Sequence, residues 1–201
     1  MADLNRDFDR LREKIRQPAF QRNQGLSNEV GYYIFDYRPK DELIVRENVA
    51  AIAKESTVAT IGANVQVFDL FDIMMTIVDG FGYRAAFEKM EVEDGMSRVI
   101  IEMNNIMRMN QEENRIVQYI EDHLDKTQPT IIFLTGVGKV FPLIRSHKVL
   151  NTLNQVIDTS PVVMFYPGVY NGTNLKMFGE LEDDHYYRAF GLRMGWNDHE
   201  D

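Results

Sequence analysis

No cysteine occurs among the 201 residues. That excludes a disulfide framework, thiol catalysis and cysteine-ligated zinc or iron–sulfur, and it suits a reducing compartment. Long apolar runs are missing too. None approaches the roughly 18–20 residues that span a bilayer, and the opening MADLNRDFDRLREKIRQ has no apolar signal-peptide core. The expectation is a soluble cytoplasmic protein with no membrane contact. Positive charge is scarce: 22 Lys and Arg against 31 Asp and Glu leave a formal net charge of −9. Tight autonomous binding to nucleic acid needs a phosphate-neutralising face, so direct nucleic-acid binding is disfavoured unless a local basic patch supplies one. Internal repeats and low-complexity segments are absent as well.

What remains is ordinary globular composition, 44% hydrophobic and 26% charged, with 22 aromatic residues. The length suits one domain over residues 1–201. Residues 2–16 read as a helix, with Leu4, Phe8, Leu11 and Ile15 on one stripe and Arg6, Arg10, Arg12, Lys14 and Arg16 opposite. Pro18 ends it, residues 19–29 read as a loop, and residues 197–201 as a frayed acidic tail. Val30–Tyr37 reads as a strand buried on both faces. Asp41 is placed to cap a helix through Lys54, with Leu43, Val49, Ile52 and Ala53 inward. A strand at Val65–Asp69, a helix at Leu70–Val78 and a shorter one at Tyr83–Met90 follow, then helical pattern over 95–125 in two pieces. Five methionines (Met90, Met96, Met103, Met107, Met109) crowd residues 90–109; core packing explains such a stripe more simply than an adaptable binding surface does.

Thr130–Thr135 (TIIFLT) is the clearest buried strand. The Gly136-Val137-Gly138 turn leads toward a helix at 144–157. Pro161–Tyr166 is the next strand, closed by Pro167-Gly168, with a turn-rich loop over 169–174. Further pairing is expected at Leu175–Phe178 and Tyr186–Leu192. Strands alternating with helices imply an α/β fold, a mainly parallel sheet flanked by helices, Rossmann-like or degenerate P-loop-like, with antiparallel strands near the C-terminus.

Four constellations bear on chemistry. The stretch LTGVGKVFP suggests a phosphate loop, but Phe133 stands where the first glycine should be and Val140 follows Lys139 in place of Ser or Thr. Phe141 stands in place of the third glycine of a dinucleotide fingerprint. A tight turn packing strand on helix explains Gly136 and Gly138 more simply than an anion site does. Second, Asp36, Asp69, Thr135-Gly136 and Tyr166-Pro167-Gly168 end strands, where ligands of parallel sheets collect. Asp36 and Asp69 would there be a carboxylate pair, or, more simply, caps of the following elements. Third, Glu180–His185 with His199 could ligate a metal, though a contiguous acidic run reads as a solvated loop, and no metal site is expected. His123 and His147 lie in helical patterns without ligand partners, and no serine sits in a nucleophile elbow. Fourth, Tyr186-Tyr187-Arg188-Ala189-Phe190 combines aromatics with arginine, as interfaces and base-stacking surfaces do. On a strand, one of its faces would be core.

IFLTGVGKVFPLIRSHKVLNTL and VVMFYPGVYNGTNLKMFGELEDDHYYRAF, with IFDYRPKDELIVR and VFDLFD upstream, resemble the BrxB family of bacterial BREX phage-defence systems. The resemblance covers most of the chain. Its most specific parts are TGVG-x-x-x-P-x-x-R, FYPG-x-Y and YYRAF, that is Gly136, Gly138, Pro142, Arg145, Tyr166, Pro167, Gly168, Tyr186, Tyr187 and Arg188. It implies a small accessory component of systems that combine adenine methylation of host DNA with phage exclusion. Their larger parts include an ATPase, a methyltransferase and the alkaline-phosphatase-like PglZ protein. No catalytic set and no cofactor transfer with the resemblance.

Three expectations follow. The leading one is a non-catalytic adaptor binding PglZ, the ATPase or both. The alternative is a degenerate nucleotide- or metal-dependent phosphoryl-processing enzyme using Asp36, Asp69 and the Gly136–Lys139 turn. A third is nucleic-acid binding through residues 6–22, where the footprint is weak: residues 1–22 hold six basic against four acidic residues.

Overall fold

The computed structural model describes residues 2–22, 31–111, 114–144, 146–157, 159–178, 181–183 and 189–193. Helix α1 (Ala2–Ile15) forms as its stripe predicts, and Leu4, Phe8, Leu11 and Ile15 are all buried. Pro18 both stops it and opens the short α2 (Pro18–Gln21), since proline at a first helical position gives up only a donor that lacks a partner anyway. The expected loop therefore begins after a helical turn, and 23–29 lie outside the described residues. Strand β1 (Tyr32–Tyr37) leads through a 3-10 turn (Pro39–Asp41) into α3 (Glu42–Glu55). Asp41 sits at the cap position without bonding the helix; it pairs instead with Arg38 at 2.8 Å. The inward residues are Val45, Val49 and Ile52, while Leu43 is 70% exposed. Leu43 lies two positions from Val45, about 200° round the helix, so it cannot share that face.

The short α4 (Val58–Ile61) carries a capping box between Thr57 and Thr60. Then come β2 (Asn64–Asp69), α5 (Leu70–Gly80), α6 (Arg84–Asp94), α7 (Met96–Ile106) and α8 (Arg115–His123). Met103, Met107 and Met109 are core, as expected of the stripe, but Met96 is exposed. β3 (Thr130–Thr135) passes at once into α9 (Val137–Val140), followed by α10 (Ser146–Val156). β4 (Val162–Tyr170) runs straight through Pro167-Gly168 rather than ending there. β5 (Leu175–Met177), β6 (Leu181–Asp183) and β7 (Phe190–Gly191) complete the order. Part of the expected acidic loop is thus strand; Glu180, Asp184, His185, His199 and the tail lie outside the described residues.

The strands run β2-β3-β4-β1-β7, every neighbouring pair parallel, and the far end of β4 pairs antiparallel with β5, which pairs with β6. The fold is α/β with a mainly parallel sheet, as expected. Its order differs from the 3-2-1-4-5-6 order of dinucleotide-binding sheets. Alternation sends successive side chains to opposite faces, and each face has its own core. On one, Phe35, Phe133 and Phe165 pack with Phe8 of α1 and with Val45, Val49 and Ile52 of α3; Phe8 stacks on Phe35 at 4.8 Å. On the other, Tyr32, Ile34, Leu134 and Met164 pack under α5 and α7–α10. No helix among the described residues is long and apolar enough to cross a membrane.

Candidate functional site

The carboxyl ends of parallel strands are where such a sheet offers space to a ligand, and Asp36, Asp69, Gly136 and Tyr166–Gly168 all lie there. The two carboxylates do not meet. β4 and β3 stand between β1 and β2, which puts the strands roughly 14 Å apart at about 4.8 Å per step. Register separates them further. Asp69 is level with Thr135, Asp36 with Tyr166, one residue further along the sheet, so alternation gives them opposite faces.

Asp69 is fully occupied by its own chain. Its Oδ1 accepts from Phe71 N–H at 3.0 Å and Asp72 N–H at 3.2 Å, capping α5. Its Oδ2 accepts from Lys139 Nζ at 2.6 Å and Thr135 Oγ1 at 3.3 Å. Gly136 has φ +74°, and a Cβ there would stand 2.3 Å from Asp69 Oδ1. The Gly136 backbone therefore lies against the chain's own Asp69 carboxylate, which Lys139 of the same turn holds. Beside it, Tyr37 O–H donates to Glu42, which also accepts from Arg46 Nε at 2.8 Å. Burial, then the Glu42 contact, push the Tyr37 hydroxyl far above its ordinary value, so it keeps its proton at neutral pH. The charge of Asp69 reaches both Tyr37 and Arg46. Arg46, Glu42, Tyr37, Asp69 and Lys139 thus form a mixed-charge cluster on the α3 side.

The rest of the crevice is covered from above. Tyr166 is 1% exposed. Pro167 has no N–H to give, but its carbonyl accepts from Phe178 N–H at 2.9 Å. A Cβ on Gly168 would lie 2.2 Å from Lys176 O, and one on Gly138 would lie 3.0 Å from Pro167 and 3.3 Å from Phe178. Phe178 meets Phe141 edge-on. The two glycine-bearing motifs therefore pack against each other through the β4–β5 hairpin. Asp36 Oδ2 accepts from Tyr170 N–H of that hairpin at 3.4 Å, and burial raises its carboxyl above the usual range against the pull of Arg193.

Arg193 and Asp7 escaped the sequence reading. Arg193 Nε lies 2.6 Å from Asp7 Oδ2, and its Nη1 donates to Asp36 O at 2.9 Å. Asp7 is 1% exposed. Its signal was legible: it interrupts the apolar stripe of α1, three residues after Leu4 and four before Leu11, where an unpaired carboxylate would be costly. Pro142 is exposed after a cis Phe141-Pro142 bond. Arg145, Tyr186, Tyr187 and Arg188 lie outside the described residues. His123 stacks on Tyr119 at 3.9 Å, and no group of three metal-ligating side chains occurs among the described residues.

The family model described as BREX protein BrxB matches residues 66–192. The chain is 42% identical to the BREX protein BrxB of Bacillus cereus (strain H3081.97) over 193 residues, 96% of this chain and 98% of the relative. It is 31% identical to the BREX protein BrxB of Escherichia coli O9:H4 (strain HS) over 188 residues, 92% and 89% respectively. No solved structure matches.

Proposed function

Because the chain belongs to the BrxB family of BREX proteins, we propose that it is a non-catalytic adaptor of a cytoplasmic BREX phage-defence complex, binding PglZ, the BREX ATPase or both. The observation that carries this reading is the crevice at the strand ends. Its glycine turn closes on Asp69, and its mouth is packed by the β4–β5 hairpin. The polar groups there hold elements together: Asp69 joins β2, α5, β3 and α9, and Asp36 joins β1 to the hairpin. Side chains committed to such bonds are poorly placed to meet a substrate.

The competing reading is a phosphoryl-processing enzyme working through the Gly136–Lys139 turn. A phosphate would have to displace Asp69 from Lys139 and from the N-terminus of α5. The test is a pull-down of the tagged chain at mild salt, from cells expressing its whole defence locus. Stoichiometric recovery of PglZ or the ATPase is expected. Recovery of the chain alone would overturn the adaptor reading, and saturable magnesium–nucleotide binding weakened by Lys139→Ala in calorimetry would replace it.

A further inference from the structure

The corner where α5 turns into α6 holds an aromatic pair that stays exposed. Gly82, at φ +69°, follows the last turn of α5, with Tyr83 N–H bonded to Val78 O at 3.0 Å and Gly82 N–H to Asp79 O at 2.9 Å. These are the two hydrogen bonds of a Schellman cap. The left-handed glycine brings its flanking residues to one side, and Phe81 and Tyr83 stack at 5.7 Å while remaining 47% and 42% exposed. The guanidinium of Arg115 lies 4.4 Å over Phe81, held by a bond from Nη1 to Ile106 O at 2.8 Å. Arg84 grips Asp79 with two bonds of 2.7 and 2.6 Å across the turn. The pair is therefore fixed in place, and little ordering remains for a partner to impose. Aromatics beside arginine are the side chains that dominate binding at interfaces.

Helix α6 continues from this corner and is poorly buried. Of its eleven residues Phe87 is buried, whereas Val92 is 86% exposed. Its charges say what could cover it. Residues 79–102 hold six carboxylates and three cations. Each cation has an acidic partner: Arg84 with Asp79, Lys89 with Glu93, Arg98 with Glu102. Glu88, Glu91 and Asp94 are left exposed without an ion pair among the described residues. Arg84, Glu88 and Glu91 follow one another along α6 at helical spacing. A second copy of this surface would set acid against acid. A nucleic-acid backbone would meet the same repulsion.

We propose that the Phe81–Tyr83 corner and the outer face of α6 dock a protein surface that offers an apolar knob inside a rim of Lys and Arg. This rests on the adaptor reading and names the surface it uses. The partner is the BREX component that the tagged chain retains from its full locus.

The experiment compares retention of that component by the intact chain, by Phe81→Ala/Tyr83→Ala, by Glu88→Lys/Glu91→Lys, and by Leu43→Ala as a control on the opposite side of the sheet. Urea midpoints check that each variant folds. Both corner variants should bind about tenfold more weakly or worse, with Leu43→Ala unchanged, and the Glu88/Glu91 effect should shrink as salt rises. Equal retention by all four proteins would overturn this surface and leave the adaptor reading standing. An intact chain that retains nothing would sink both. A dimer broken by Phe81→Ala/Tyr83→Ala in sedimentation, or single-stranded DNA binding lost in the same variant, would assign the corner to a different occupant and overturn the proposal.

Discussion

At the scale of the residue, two glycines with similar backbone geometry do different jobs. Gly82 and Gly136 both have positive φ, +69° and +74°, but a Cβ on Gly82 would meet nothing within 4 Å, whereas one on Gly136 would strike Asp69 Oδ1 at 2.3 Å. Gly82→Ala should therefore cost only the left-handed conformation, about 1–2 kcal/mol. Gly136→Ala must also dislodge the carboxylate that caps α5 and holds Lys139, and should cost about 2–4 kcal/mol. Urea unfolding of the two variants measures the gap; equal losses would mean that the Asp69 contact carries nothing. The turn at Gly136 was legible because strand and helix patterns flank it. Its tenant was not, because Asp69 lies 67 residues away in sequence, and only the pairing of β2 with β3 brings the two together.

At the scale of the element, α1 and β4 show how a local pattern is overruled or completed. The apolar stripe of α1 predicted a helix but left open what it covers. It lies on the sheet, where Phe8 stacks with Phe35 at 4.8 Å and with Phe165 at 6.4 Å. On its other face Arg12 reaches Asp9 and Asn48. Removing residues 1–16 would strip four buried apolar side chains from one core. At about 1.5–3 kcal/mol each, that is comparable with the whole stability of a domain. The truncated chain should lose cooperative thermal unfolding in calorimetry. A sharp transition near that of the intact chain would show α1 to be an appendage. β4 was expected to stop at Pro167-Gly168, by the rule that proline and glycine break strands. The strand continues because proline keeps its acceptor, used by Phe178 N–H, and because glycine lets the Lys176 carbonyl approach.

At the scale of the whole molecule, Arg193 ties distant parts of the chain together. It bonds Asp7 near one end and Asp36 O on β1, while Leu192 N–H bonds Ile34 O and Leu192 enters the core. The Asp36 carboxyl lies in the same network, facing Tyr170 N–H. Burial raises its pKa, Arg193 opposing. A raised folded value means that the fold favours the protonated carboxyl. Its stabilising contribution is complete below the ordinary aspartate value near 3.9 and is lost as pH rises through the folded value. Asp36→Asn keeps the neutral form at every pH. The variant should be at least as stable as the native chain at pH 7, and the difference should shrink as pH falls toward about 4. A less stable variant at pH 7 in urea unfolding would mean that attraction to Arg193 outweighs burial.

The sequence by itself determined the α/β class, the existence of most helices and strands, and membership of the BrxB family. These depend on local periodicity and on motifs contiguous in the chain, such as TIIFLT and the stripe Leu4, Phe8, Leu11, Ile15. Only the tertiary structure decided strand order and register. Those in turn decided that Asp36 and Asp69 stand on different faces, that Asp69 fills the glycine turn, and that the hairpin covers the strand ends. The reason is physical. A strand's own pattern says that it is buried, whereas its neighbours are chosen by packing both faces of the sheet at once, through contacts between residues far apart in the chain.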